Sequence, residues 1–470
     1  MQTGPATPAA QPQPSASAPS LKRALHLPAL VIYGIVLIQP TAPMPLYGVA
    51  ADKAHGHVVT LILIGMVAMF FTALSYGRMA NAYPSAGSAY AYVSREIHPA
   101  PGYLIGWSMM FDYVMNPLIC VIWCAKACVD LQLAPFIPLW VWFIVFGLLF
   151  TGLNLRGIEA SARTNTILAT GLGLVIVIFF GAAIRYLFHN PPADASAFGQ
   201  PFYDPATFSW KALSSGAALA VLTYIGFDAV STLSEEVHNP RRNVLLATVL
   251  VCLITGVLAS LEVYAAQMVW PKPVSALPPP VENAFAHIAD LAGGRRLFWI
   301  VTVSLLVATI GSGMGAHLGA ARLLYGMGRD NAIPGSFFAR VNPRTRVPSN
   351  NVILVGAVAL IGALALDFDG KGYDRGAELL NFGALFGFMG VNVSALIHYY
   401  VRGRDRRLGQ LIPPILGFLI CLYLWQSLAW LTLIIGTCWL AVGVLYGAWR
   451  TSFFTKPLQF APIEADESNH

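Results

Sequence analysis

Apolar runs long enough to cross a bilayer recur about twelve times in this 470-residue chain, and no other feature constrains its fold so strongly. About 18 residues of helix cover roughly 30 Å of hydrocarbon, where every backbone amide and carbonyl must find a partner inside the protein. The predicted spans are 28–48, 57–79, 102–128, 135–154, 165–187, 211–234, 243–268, 297–321, 350–366, 377–399, 411–427 and 429–449. Only Ser427 to Trp430 divides the last two. Charged residues make up 11% and mean hydropathy is +0.63, against about 25% charge in a soluble domain. The expected fold class is therefore an all-α integral membrane protein.

Charge placement orients this bundle. With the N-terminus inside, cytoplasmic segments hold 19 of the 28 Lys and Arg, external segments hold 8, and Lys126 lies within span 3. The positive-inside rule then puts both termini in the cytoplasm of a multi-pass protein of the cell (inner) membrane. The net charge of +6 arises in these loops and gives no reason to propose nucleic acid. Residues 1–20, rich in Pro, Ala, Ser and Gln, read as a disordered tail without the features of a secretory signal, and 451–470 as a short cytoplasmic tail. Residues 21–450 form one membrane domain. Its external segment 270–296 contains VENAFAHIADLAG, read as a short helix over the outer face.

Two spans cannot be continuous helices. Span 1 reads LVIYGIVLIQPTAPMPLYG, and its prolines remove amide donors and clash with the preceding turn, so the helix unwinds near Pro40 and Pro43. Taken alone this is a kinked structural helix. Span 6 continues into LTYIGFDAVSTLSEEVHNPRR, interrupted at Gly226, with Asp228 near the middle of the span. Interrupted spans at positions 1 and 6 mark two five-helix repeats of inverted topology, here 28–187 and 211–399, with 411–449 as two extra helices. A midplane site between them takes Thr41, Ala42, Ile225, Gly226, Phe227 and Asp228, joined by Asp112 from span 3. Glu235, Glu236, Arg241 and Arg242 are a solvated helix end or an inner gate.

Four motifs carry a family resemblance. AYPSAGSAYAYVSRE (82–96), GLNLRGIEASARTN (152–165), YIGFDAVSTLSEEVHNPRR and ARLLYGMGRDNAIP (321–334) occur in order on the expected faces. In these the chain resembles the amino acid–polyamine–organocation transporters from about Leu21 to Arg450. GWSMMFDYVMNPLI (106–119) and LLNFGALFGFMGVNVSALIHYY (379–400) make it most similar to bacterial putrescine importers within that family. The resemblance implies a five-plus-five inverted repeat and secondary transport of an amine-bearing solute. Family members that carry amino acids seat the carboxylate on free amides at the span 1 break, often Gly-Ser-Gly. Here the matching stretch is Pro40-Thr41-Ala42-Pro43, two of whose four positions lack an N–H. Fewer anion donors and two acids at membrane depth favour a cation without a carboxylate, such as putrescine, over neutral or cationic amino acids.

Several residues have plainer readings. Asp112 can cap or pair with a neighbouring helix. Lys126 lies 14 residues beyond it, about 21 Å along the helix, too far to pair directly, and is expected to snorkel to the outer surface, as is Glu262. His317 and His398 are satisfied interhelical groups or proton carriers. GSGMG (311–315) follows no strand and reads as a close-packing face, with Gly311 and Gly315 one turn apart, not as a nucleotide loop. Cys120, Cys124 and Cys128 share a helix face as small hydrophobes, with a soft-metal site the alternative. Some relatives place a sodium-mimicking lysine in helix 5. The matching position here is near Leu172, and that helix has no lysine. Proton uptake by Asp112 or Asp228, a bound sodium ion and transport down the membrane potential stay open, a proton being favoured over sodium. No convergent nucleophile–base or metal set suggests an enzyme, and no cofactor is expected. A transporter-like sensor or a channel are the readings from other classes. The partners expected are a small amine or amino acid and the lipid bilayer, with the oligomeric state open.

Overall fold

The computed structural model describes residues 26–450 apart from 84–87, 157–161, 193, 233, 235–236, 330–332, 346 and 404–405. The tails expected at 1–20 and 451–470 and the gate acids Glu235 and Glu236 lie outside these residues. The described chain is built from helices. Nine of them are long and apolar enough to cross a membrane. They are span 2 (Val58–Ala82), span 3 (Pro99–Asp130), span 5 (Ala162–His189), span 7 (Pro240–Val269), span 8 (Arg295–Arg329), span 9 (Ser349–Leu366), span 10 (Gly372–Leu396), span 11 (Leu408–Gln426) and span 12 (Trp430–Arg450). The 17-residue span 4, Leu139–Leu155, and the two interrupted spans complete twelve.

Span 1 consists of Leu27–Ile38 and Pro43–Lys53, about 18 Å and about 17 Å of helix, so its break falls near mid-membrane. Span 6 runs as α-helix over Trp210–Ala220, tightens to 3₁₀ over Val221–Tyr224, and opens at Ile225–Asp228. Beyond the break an α-turn follows, Ala229–Thr232, up to residue 233, which lies outside the described residues. Span 7 starts at once with Pro240, preset for a first helical turn, behind Asn239 in the left-handed region at φ 50°.

Burial ranks the spans by depth. Span 3 has 78% of its apolar window inside the protein, spans 11 and 12 only 22% each, so span 3 is the axis and the last two are peripheral. Span 3 packs against spans 8 and 10, span 2 against span 7, and span 4 against span 9. Small residues permit the closest approaches. A side chain at Gly383 in span 10 would strike the Ser108 carbonyl of span 3 at 2.7 Å. Trp107 and Trp439 stack 4.9 Å apart, and each indole N–H donates to the other's carbonyl, pinning span 12 to span 3.

Two residues expected to snorkel do not. Lys126 is buried and its ammonium is satisfied by Glu282 at 2.6 Å, Asp367 at 2.9 Å and the Gly370 carbonyl at 2.5 Å. The segment 270–296 folds inward to supply Glu282, and its helix Ala284–Gly293 buries Phe285 and Ile288. The two carboxylates and the carbonyl offset the cost of burying the ammonium away from water. Glu262 is likewise fully buried, and neither of its oxygens has a hydrogen-bond partner among the described residues. His317 donates its Nε2–H to the span 9 carbonyl of Val352 at 2.8 Å, and His398 pairs with Glu96. In GSGMG the tight contact belongs to Gly313, against Phe150 and Cys120, whereas Gly315 faces open space. Cys120, Cys124 and Cys128 are buried free thiols.

Candidate functional site

An interrupted helix leaves carbonyls and amides that need partners away from water. Asn381 of span 10 donates to both Ala218 and Leu219 carbonyls, each at 3.1 Å, where span 6 ends its α-helical part. Tyr224 anchors the 3₁₀ turn by donating to the Ile62 carbonyl at 2.7 Å. Gly226 sits at φ +118°, a conformation closed to ordinary side chains. Its amide is taken by Asp228 Oδ1 at 3.3 Å. At the span 1 break, the Ala42 amide donates to Gln39 and the Met44 amide to Thr41, each at 3.0 Å. Beyond the two prolines, then, amides at both breaks are already used within the chain, which weakens these turns further as a carboxylate cradle.

Between the breaks lies a cavity of about 110 Å³. Span 1 gives it Ile38, Gln39, Ala42 and Pro45, and span 6 gives Leu222 and Ile225. Span 3 adds Asn116, Ile119, Cys120 and Trp123, span 8 adds Thr309 and Ser312, and span 10 adds Tyr373. The wall is apolar with a few amide, hydroxyl and thiol groups. Towards the termini it is backed by packed rings. Phe227, fully buried, meets Tyr76 at 5.5 Å and Phe388 at 5.3 Å, and Tyr76 also meets Tyr92 at 6.2 Å. On the opposite side Lys53, closing span 1, pairs with Asp374 at 2.9 Å and with Glu378. Glu378 in turn accepts from Thr432 at 2.8 Å, joining spans 1, 10 and 12.

The predicted residues fall into three groups. Ala42 and Ile225 line the cavity. Thr41, Pro40 and Pro43 are buried around it, and the Thr41 hydroxyl has no partner among the described residues. Asp112 and Asp228 are buried, 7% and 8% exposed, but neither is in the cavity wall. They lie within electrostatic range of each other, and Tyr76 and Tyr113 lie within range of both. Asp112 is one helical turn from the cavity-lining Asn116, on the Pro99 side. The Ser231 hydroxyl donates to the Asp228 carbonyl at 2.6 Å and meets Ser88 at 3.1 Å. Arg241 and Arg242 are exposed at the first turn of span 7. Among the described residues no group of three His, Cys, Asp or Glu could hold a metal ion.

Sequence reasoning passed over Gln39, Asn116, Trp123, Thr309, Ser312 and Tyr373. Asn116 follows Asp112 by four residues, and that spacing could have shown both to share a face. Thr309 and Ser312 flank the glycines that were read only for packing.

Comparison with known proteins agrees with this architecture. The family model described as "Amino acid permease" matches residues 44–461. The chain is 33% identical over 95% of its length to the low-affinity putrescine importer PlaP of Escherichia coli, 97% of which is covered. It is 27% identical to the branched-chain amino acid permease BcaP of Bacillus subtilis, with 91% and 92% covered. It is also 27% identical to the methylthioribose transporter of that organism, with 91% and 93% covered.

Proposed function

The chain belongs to the amino acid permease family, a membrane transporter rather than an enzyme, and on that premise we propose that it imports a small cationic amine, a diamine such as putrescine, by alternating access. The observation that carries this reading is the buried pair Asp112 and Asp228, set one layer from the cavity at the span 6 break. An ammonium stripped of water needs a paired charge, and two neighbouring carboxylates favour a cation over a zwitterion. Lys126 cannot neutralise them, being bound to Glu282 and Asp367 about 21 Å along the helix from Asp112. The amides used within both breaks support the same choice, because a substrate carboxylate would find few donors. A volume of 110 Å³, well below the roughly 300 Å³ at which drug-sized pockets begin, suits a solute of a few heavy atoms. The similarity to a putrescine importer points the same way.

Thr41, Ala42, Ile225, Gly226 and Phe227 form the moving walls in this reading, and the hinge lies at Pro40–Pro43 and Ile225–Asp228. The repeats are 28–187 and 211–399, an offset supported by the packing of spans 2 on 7, 3 on 8 and 4 on 9. Both termini face the cytoplasm, and a proton taken up at the Asp112–Asp228 pair is the coupling ion. Competition in proteoliposomes tests the substrate assignment. Putrescine should displace labelled substrate better than leucine or alanine, and Asp112→Asn should narrow that gap by weakening diamine binding more than amino-acid binding. Saturation by neutral amino acids at micromolar concentration, without competition from putrescine, would replace this reading with an amino acid permease.

A further inference from the structure

On the face opposite His26 and Arg450 the structure holds a second and larger cavity, of about 770 Å³. It lies among the ends of spans 1, 5 and 7, Pro191, Pro192 and the segment 194–207, apart from the central cavity. Three helices terminate against it, Pro43–Lys53, Ala162–His189 and Pro240–Val269, and residues of all three last turns line it. Each helix C-terminus carries about half a negative charge from its aligned peptide dipoles, so the three together make the cavity attractive to cations. Side chains add to this. Asp52, Asp194 and Asp204 line the cavity against a single ammonium, that of Lys272.

Two of the lining acceptors are placed to take a donor. Asp52 is exposed and presents its carboxylate at the cavity. Gln267 spends its amide N–H on the Gly56 carbonyl, and its Oε1 is left without a donor. An ammonium, which donates only, complements such a set. Aromatic residues are also part of the lining, Tyr47, Tyr186 and Trp270. One of them already shows the chemistry: the Lys272 ammonium stands over the Trp270 ring, 5.3 Å from its centroid.

We propose that this cavity is a second, peripheral binding site for alkylammonium groups, which concentrates the amine on the outer face before it enters the central pathway. The inference rests on the amine-transport reading and adds a site to it. Asp52 and Gln267 take one ammonium of a diamine. The other displaces Lys272 from Trp270.

Equilibrium binding of labelled putrescine to the full chain in nanodiscs tests it. The wild type should show two classes of saturable site. Asp52→Asn with Trp270→Leu should remove one class and raise the half-saturating putrescine concentration for import about fivefold, in line with a lost cation–π contact, with maximal rate kept within about twofold. Asp228→Asn should remove the other class. Asp52→Glu, which keeps the charge at an exposed position, should retain both. One class of site, lost in Asp228→Asn and unmoved by changes at Asp52 and Trp270, overturns the peripheral site and leaves the transport reading standing. Absence of any putrescine binding to the wild type overturns both.

Discussion

Replacing Asp228 by Asn tests the central charge with little change of shape. The Asn side chain keeps an oxygen where Asp228 Oδ1 accepts from the Gly226 amide at 3.3 Å, so the break can hold its geometry. What is lost is the carboxylate charge. A hydrogen bond to a charged group contributes about 1.5–3 kcal/mol, which corresponds to about tenfold to about 150-fold in transport efficiency. Asp112, also buried and within electrostatic range, can hold part of the ammonium's charge, so the lower end of that interval applies. Initial uptake of labelled putrescine into proteoliposomes, with variant and wild type matched for inserted protein, should therefore fall at least about tenfold. The double variant with Asp112→Asn should lose less than the product of the two single losses, because the two groups share one ligand. Uptake at the wild-type rate with Asn at 228 would remove Asp228 from the mechanism and the cation argument with it.

Gly226→Leu should abolish transport. Its φ of +118° strains any side chain, and a Cβ there would stand 3.3 Å from Ile38 across the facing break. Insertion and amount in the membrane, measured alongside uptake, should change less than activity does. Lys126→Met should cost about 3–5 kcal/mol, because Glu282 and Asp367 would be left buried without their cation. Thermal unfolding in detergent checks this, and adding Glu282→Gln and Asp367→Asn should recover part of the loss. Asn381→Leu would remove the donor shared by the Ala218 and Leu219 carbonyls at the span 6 break; Leu219 keeps the Val221 N–H, so the cost is about 1–3 kcal/mol, that of one unpaired group. Its melting temperature should fall and putrescine binding should weaken; an unchanged melting temperature would show that the break does not depend on span 10.

Sequence alone determined the class of fold and the places where it is interrupted. Hydrocarbon demands satisfied backbone over about 18 residues, so apolar runs announce themselves locally, and proline and glycine mark a break by their own covalent geometry, as at Pro40, Pro43 and Gly226. Tertiary structure decided which polar groups meet. Lys126 and Glu262 looked alike in sequence, each a charged residue inside a span, and both readings as snorkelling side chains failed. Lys126 is bound to Glu282, 156 residues away, and Glu262 is enclosed without a hydrogen-bond partner among the described residues. The cavity wall was equally hidden, since Gln39, Asn116, Ser312 and Tyr373 come together from four spans. Local pattern reports what a residue does to its own backbone and which face it shares. It carries no record of which distant helix supplies the partner, and that pairing is what separates a buried ion pair, a binding wall and an isolated acid.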